Sequence, residues 1–212
     1  MSWSIEPWDA SEPLEVQFPG KGGRELAAWA GWTVEGLDYL AGTDSQRPER
    51  YPNQAHRTVD LSHARWATVD AITAIDLCAA ALGRMHCGYP RKGWEMKYGE
   101  AKDDARLRKQ PACKQWIDSV KGDAKYAEVL ELRNALVHST AVRRIDVKVP
   151  PVVVQAVRGQ SRIVGGPGPQ ISRVRLHVSN PTREFAVEKL VPQCRDLARR
   201  HVGAFLSAAA RL

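Results

Sequence analysis

The chain has 212 residues, a formal charge of +7, and 43% hydrophobic against 26% charged residues. That length suits one domain with an embellishment, and that balance excludes a disordered chain. The opening residues carry Glu6, Asp9 and Glu12 instead of the basic start and apolar run of a secretory signal.

Residues 1 to about 23 read as an extended arm, with Pro7, Pro13, Pro19 and a glycine cluster that lacks the ending of a phosphate loop. A short Trp-rich helix follows from Arg24 to about Leu40. Its apolar face is expected to hold Trp29, Trp32, Leu37 and Leu40, with the tryptophans as packing anchors rather than a stacking platform. A loop should span Thr43 to Asn53. Leu61, Val69, Ile72, Ile75, Ala79 and Leu82 then recur at helical spacing, predicting a long helix from about Arg57 to Met85. Its most apolar window contains Asp70 and Asp76, which a membrane span seldom tolerates, so it reads as a buried amphipathic helix. The expectation is a soluble, cytoplasmic protein without a membrane partner. Cys78, Cys87, Cys113 and Cys194 are widely spaced, with no C-x-x-C, and read as buried thiols; no metal and no cofactor is expected.

Glycines and a proline break the pattern at Gly83 to Gly93, and the charged stretch from Tyr89 to Arg108 reads as irregular. Helices are predicted over Ala112–Val120, closed by Gly122, and over about Ala124–Ser139. The period then becomes two. Ile145, Val147 and Val149 alternate with polar residues, as do Val174, Leu176 and Val178, and Gly165-Gly166-Pro167-Gly168-Pro169 supplies a turn. Asn180-Pro181-Thr182 should start a final helix to about Ala210. The fold class is thus mainly α, a helical bundle with a β-hairpin or small sheet inserted before the last helix. Two units are expected. The first is an arm with its short helix over 1–50, packed on the main domain. The second is a helical domain over 51–212, with the β insert at about 143–179.

Charge is concentrated. Between Leu132 and Arg183 there are nine basic residues and one acid, Asp146, giving that segment +8 and leaving −1 for the rest. Such a concentration points to an anionic partner, nucleic acid being the commonest.

The segment Arg133-Asn134-Ala135-Leu136-Val137-His138 begins there. With 21 arginines and six histidines, an Arg/His spacing alone selects nothing; Arg57/His63 and Arg195/His201 are nearly as close. Context separates them. On a helix, Arg133 falls within about 20–60° of Tyr126, Val129, Leu130 and Val137, so its charge leaves an apolar stripe and needs a partner or a cleft. Asn134 and His138 stack one turn apart on one flank. The other two pairs have no asparagine after the arginine and read as lying amid solvent-facing charge. Asp76, on or beside the inner stripe of the long helix, is a candidate partner for Arg133.

This segment resembles the signature of the HEPN superfamily (higher eukaryotes and prokaryotes nucleotide-binding): arginine, a polar residue, a few residues, then histidine. The order of helices is similar over about residues 55–212. The basic β insert and the Trp-rich N-terminal region are departures from that pattern. The resemblance implies a helical bundle and metal-independent RNA cleavage at a cleft where two motif helices meet in a homodimer. His138 would then serve as general base or acid, Arg133 would hold the phosphate and stabilise the charged transition state, and Asn134 would orient the phosphate or the imidazole. Arg143, Arg144, Lys148, Arg173 and Arg175 would contact the RNA backbone. A toxin-like role with an antitoxin-like protein partner is a common setting for such proteins. Alternatives are a catalytically inactive module that binds RNA, nucleotide or a protein partner, and a DNA-associated accessory protein using the basic hairpin.

Overall fold

The computed structural model describes residues 21–44, 54–87, 95–138, 142–149, 153–156, 160–163, 170–179 and 182–209. The proline-rich arm and the turn at 165–169 lie outside these residues. The helices are α1 (Lys21–Asp44), α2 (Gln54–Cys87), α3 (Tyr98–Ala101), α4 (Ala105–Lys109), α5 (Pro111–Lys121), α6 (Ala124–His138) and α7 (Val187–Ala209). Between α6 and α7 come β1 (Val142–Val149), β2 (Val153–Ala156), β3 (Gln160–Ile163), β4 (Gln170–Ser179) and β5 (Thr182–Ala186). The chain is mainly helical, with its strands inserted before the last helix, as the two periodicities predict.

The central element is α2, which packs along α1 and α7. Ala67, Ala71, Ala74, Ala79, Ala80 and Ala81 are buried on it together with Ile72, Ile75, Cys78 and Leu82. Alanine costs no side-chain entropy in a helix and lets neighbouring axes come close, which is how one helix buries most of its circumference. By length and composition Leu61–Cys87 could cross a membrane, but 67% of its most apolar window is buried inside the bundle.

The tryptophan anchors are a correction. On α1 the buried residues are Leu26, Ala27, Ala30, Val34, Leu37 and Ala41, a stripe of small and aliphatic side chains at helical spacing. Trp29, Trp32 and Tyr39 lie on the other side and are 57%, 55% and 66% exposed. Alanines, light in any hydrophobic ranking, decide which face goes inward because only they admit α2 closely. The two tryptophan rings meet edge to face at 5.1 Å.

Two more differences bear on the site. The stretch expected to be irregular contains α3 and α4. Asp104 accepts from the Arg106 and Leu107 amides at 2.8 and 3.4 Å, capping α4. The Arg106 side chain bonds to it as well and holds its carboxyl down to about 2. The last helix also starts later than Asn180-Pro181-Thr182 suggests. Thr182–Ala186 pairs antiparallel with β4, setting Phe185 opposite Leu176, and α7 begins only at Val187. Burying that pair together satisfies the strand's backbone and side chains at once.

The sheet runs β1-β4-β5, with β2–β3 a separate antiparallel pair. Leu176, Val178 and Phe185 from the sheet meet Leu132 and Ala135 of α6, Val187 and Leu190 of α7, and Ala64 of α2 in a second, smaller core. The β insert thus packs against the helix that carries the Arg133 segment.

If the alanine stripe sets the orientation of α1, Leu37→Ala should cost about 2–5 kcal/mol in urea unfolding. Trp29→Ala should cost under about 1 kcal/mol. Equal losses would contradict this orientation.

Candidate functional site

The site is assembled against one face of α2. Asp76 and Gly83 are two turns apart on that face. A Cβ on Gly83 would stand 3.0 Å from Met96 Cβ, so glycine there lets residues 95–98 run close along the helix. Arg84 Nε donates to Glu95 at 3.1 Å and Nη2 bonds to the same carboxylate. Just over two turns earlier on α2, Asp76 Oδ1 accepts the Tyr98 backbone N–H at 2.9 Å. Three ties therefore fasten the start of α3 to α2.

Behind this seam runs a chain of aromatic rings. Tyr98 meets Tyr126 of α6 at 5.1 Å and Trp116 of α5 at 5.9 Å, and Trp116 meets Phe205 of α7 at 5.9 Å, all near edge-to-face. The Tyr98 hydroxyl donates to the Ile117 carbonyl at 2.9 Å, and burial pushes it up to about 12. The rings fix the spacing of α3, α5, α6 and α7 around the site.

Arg133 follows Tyr126 by seven residues and Val129 by four, and both of those are buried. The arginine emerges from that face half-buried, as its place in the stripe predicts. Its Nη1 donates to Asn134 Oδ1 at 3.1 Å. Burial raises the Asp76 carboxyl above its ordinary value, while the Tyr98 amide and the charges of Lys97 and Arg133 oppose that rise. The same neighbourhood acts on Tyr126: burial, Asp76 and Tyr98 push its phenol up, and Arg133 opposes them. Asp76, Lys97, Tyr126 and Arg133 thus share one electrostatic neighbourhood. The helix ends at His138, one turn beyond the exposed Asn134, and the His138 side chain lies outside the described residues.

The side chains of Arg143, Arg144, Lys148, Arg173 and Arg175 also lie outside them, but the register places their positions. Arg143 pairs with His177, Ile145 with Arg175 and Val147 with Arg173. Alternation sets Arg143, Arg173 and Arg175 on the face opposite the buried Leu176 and Val178. Arg144 pairs with Leu176 and shares its face. Lys148 follows an irregularity in the register at Val147/Lys148.

The competing Arg/His pairs behave differently from each other. His63 is half-buried against Trp66, ring centroids 5.8 Å apart. His201, expected amid solvent-facing charge, is 2% exposed, which corrects that reading. Its Nε2 bonds to Asp123 Oδ2 at 2.9 Å, and Arg200 Nη1 reaches the same oxygen at 2.5 Å. Trp116 Nε1 donates to the His201 carbonyl at 2.9 Å. His201 therefore fastens α7 to the α5–α6 turn. Sequence reasoning missed Lys97, Tyr98 and Tyr126 at the Arg133 site. The first two sit in the stretch read as irregular, and Tyr126 entered only as an apolar neighbour.

No protein-family model, curated protein or solved structure matches this chain.

Burial lowers the His201 pKa below 6.5, against the bond and charge of Asp123, while Arg200 adds to the lowering. The folded state therefore carries fewer protons on this ring than the unfolded chain. Stability is full above pH 6.5 and is lost as the pH falls through the lower folded value. Urea midpoints should fall on acidification from that point, and His201→Asn should reduce the fall. Burial shifts His86 the same way, so some dependence should remain. An identical pH slope in the variant would contradict this.

Proposed function

We propose that the Arg133–Asn134–His138 segment is the site of a metal-independent endoribonuclease, completed where two copies of the chain bring their α6 ends together. The observation that carries this is Arg133 itself: a half-buried cation, set beside the Asp76 carboxyl and bonded to Asn134, at the exposed end of a helix that finishes in histidine. A guanidinium held in this way is pre-oriented to offer a forked pair of N–H donors to a phosphate. Val137, 42% exposed beside Asn134, gives the same helix end an apolar patch on which a second copy can close.

The chemistry needs only these residue types. An imidazole takes the proton from an RNA 2′-hydroxyl, whose oxygen attacks the adjacent phosphorus. The bond to the 5′-oxygen breaks, and a second imidazole returns a proton to that leaving oxygen. The products are a 2′,3′-cyclic phosphate and a free 5′-hydroxyl. Arg133 neutralises the charge that grows on the phosphoryl oxygens, and Asn134 orients the guanidinium that it already contacts. The +8 segment from Leu132 to Arg183 would draw and hold the strand.

A second reading is favoured by the exposed aromatic surface of α1. Trp29 and Trp32 are more than half exposed and meet edge to face, which suits a module that stacks on bases without cleaving the strand.

Labelled RNA incubated with excess chelator separates these. Wild type should release cyclic-phosphate ends, and Arg133→Ala and His138→Ala should each slow release by at least about 100-fold. Variants that cleave as fast as wild type would sink the enzyme reading. Binding without cleavage, weakened by Trp29→Ala and Trp32→Ala, would favour the stacking module.

A further inference from the structure

The β1-β4-β5 sheet has two faces of different character, and its register assigns each basic position to one of them. Three rows cross it on one side. Arg143 pairs with His177, which pairs with Glu184; Ile145 pairs with Arg175, which pairs with Ala186; Val147 pairs with Arg173. Residues directly opposite one another lie on the same face, so Arg143, Arg173 and Arg175 share it. The alternate positions, Arg144 with Leu176 and Phe185 and Arg183 with Val178, make the other face. That second face is the inner one: Leu176, Val178 and Phe185 are buried against α2, α6 and α7. On the outer face Glu184 is exposed, and His177 and Ala186 are half-buried. Among the described residues, no outer position enters a core cluster.

The outer arginine positions adjoin one another. Arg173 and Arg175 are two apart on β4, the central strand, about 7 Å along it. Arg143 is the diagonal neighbour of Arg175 on β1, about 7–8 Å away. In these rows three arginines face one acid, Glu184. The face also begins beside the candidate site. β1 starts at Val142, and α6 ends at His138, so five residues of chain hold Arg143 within about 18 Å of that histidine.

We propose that the outer face of this sheet is the surface that carries an RNA strand onward from the end of α6, through Arg143, then Arg175, then Arg173. The inference rests on the ribonuclease reading for the identity of the strand, and it narrows the substrate class to oligonucleotides long enough to reach β4. It also divides the basic residues of the insert. Arg143, Arg173 and Arg175 belong to the RNA surface, whereas Arg144 lies on the face that meets the helices and does not. Arginine positions spaced along a strand suit successive phosphates, each of which a guanidinium can hold by a forked pair of donors. Such contacts specify no base, so the gain is in affinity and salt dependence rather than in sequence preference.

The test uses the full chain carrying Arg175→Gln, Arg175→Lys, Arg144→Gln or Arg133→Ala. Each is titrated with a 2′-O-methyl RNA 12-mer that cannot be cleaved, over a series of salt concentrations. Arg175→Gln and Arg144→Gln remove the same charge from neighbouring strands, on opposite faces of the sheet. Arg175→Gln should bind several-fold more weakly, with a salt slope smaller by about 0.7. Arg175→Lys should keep that slope, and Arg144→Gln should lose much less of either quantity. Equal losses from Arg175→Gln and Arg144→Gln would overturn the assignment, because overall charge would then act rather than one face. An unchanged affinity and slope in Arg175→Gln, with both reduced in Arg133→Ala, would also overturn it and leave the ribonuclease reading standing. If neither Arg175→Gln nor Arg133→Ala changes RNA binding, both readings fall together.

Discussion

A carboxylate half-buried in the long central helix of a protein has to be compensated, and the junction of α2, α3 and α6 is arranged around Asp76. Burial raises its carboxyl above the ordinary value, and the Tyr98 amide, Lys97 and Arg133 offset part of that rise. Lys97 and Tyr98 come from the start of α3 and Arg133 from α6. Asp76 therefore does more than sit in the core: it fixes the start of α3 against α2 and sets a cation of α6 beside it. Removing the acid would take away one of the charges that compensate Arg133 where it leaves the apolar face of α6.

The rest of the scaffold serves to hold that junction still. The alanine-lined faces of α2 admit α1 and α7 closely, the aromatic chain from Tyr126 to Phe205 sets the spacing of four helices, and His201 fastens α7 to the α5–α6 turn through Asp123. The β insert closes the other side of α6 through Leu132 and Ala135. One helix is thus packed by two cores on its inner side. Asn134 and Val137 remain open to solvent. A rigid support with an open end is what a site for a large, charged substrate requires.

The sequence made the long elements legible because burial leaves a period. Helical spacing located α2, α5 and α6 to within a few residues, and the change to period two located β1 and β4. It also placed Arg133 in the apolar stripe and named Asp76 as its candidate partner. What stayed hidden was set by contact rather than by period. The inward face of α1 interleaves alanines with Leu26, Val34 and Leu37, so the tryptophans looked like the core and are on the surface. The short helices α3 and α4 carry too few residues for a period to show, and that concealed Lys97 and Tyr98. β5 is a strand because Phe185 meets Leu176 from another segment. His201 is buried because Asp123, far away in sequence, accepts its N–H; its neighbours Arg199 and Arg200 made it read as surface.

The central claim is that RNA meets this protein at the end of α6, beside Asp76. The most direct measurement is amide hydrogen exchange with and without a saturating 2′-O-methyl RNA 12-mer. The account predicts protection at the C-terminal turn of α6 and at residues 95–98, with little change along α1. Protection confined to the Trp29–Tyr39 stretch, with the end of α6 unaffected, would contradict it.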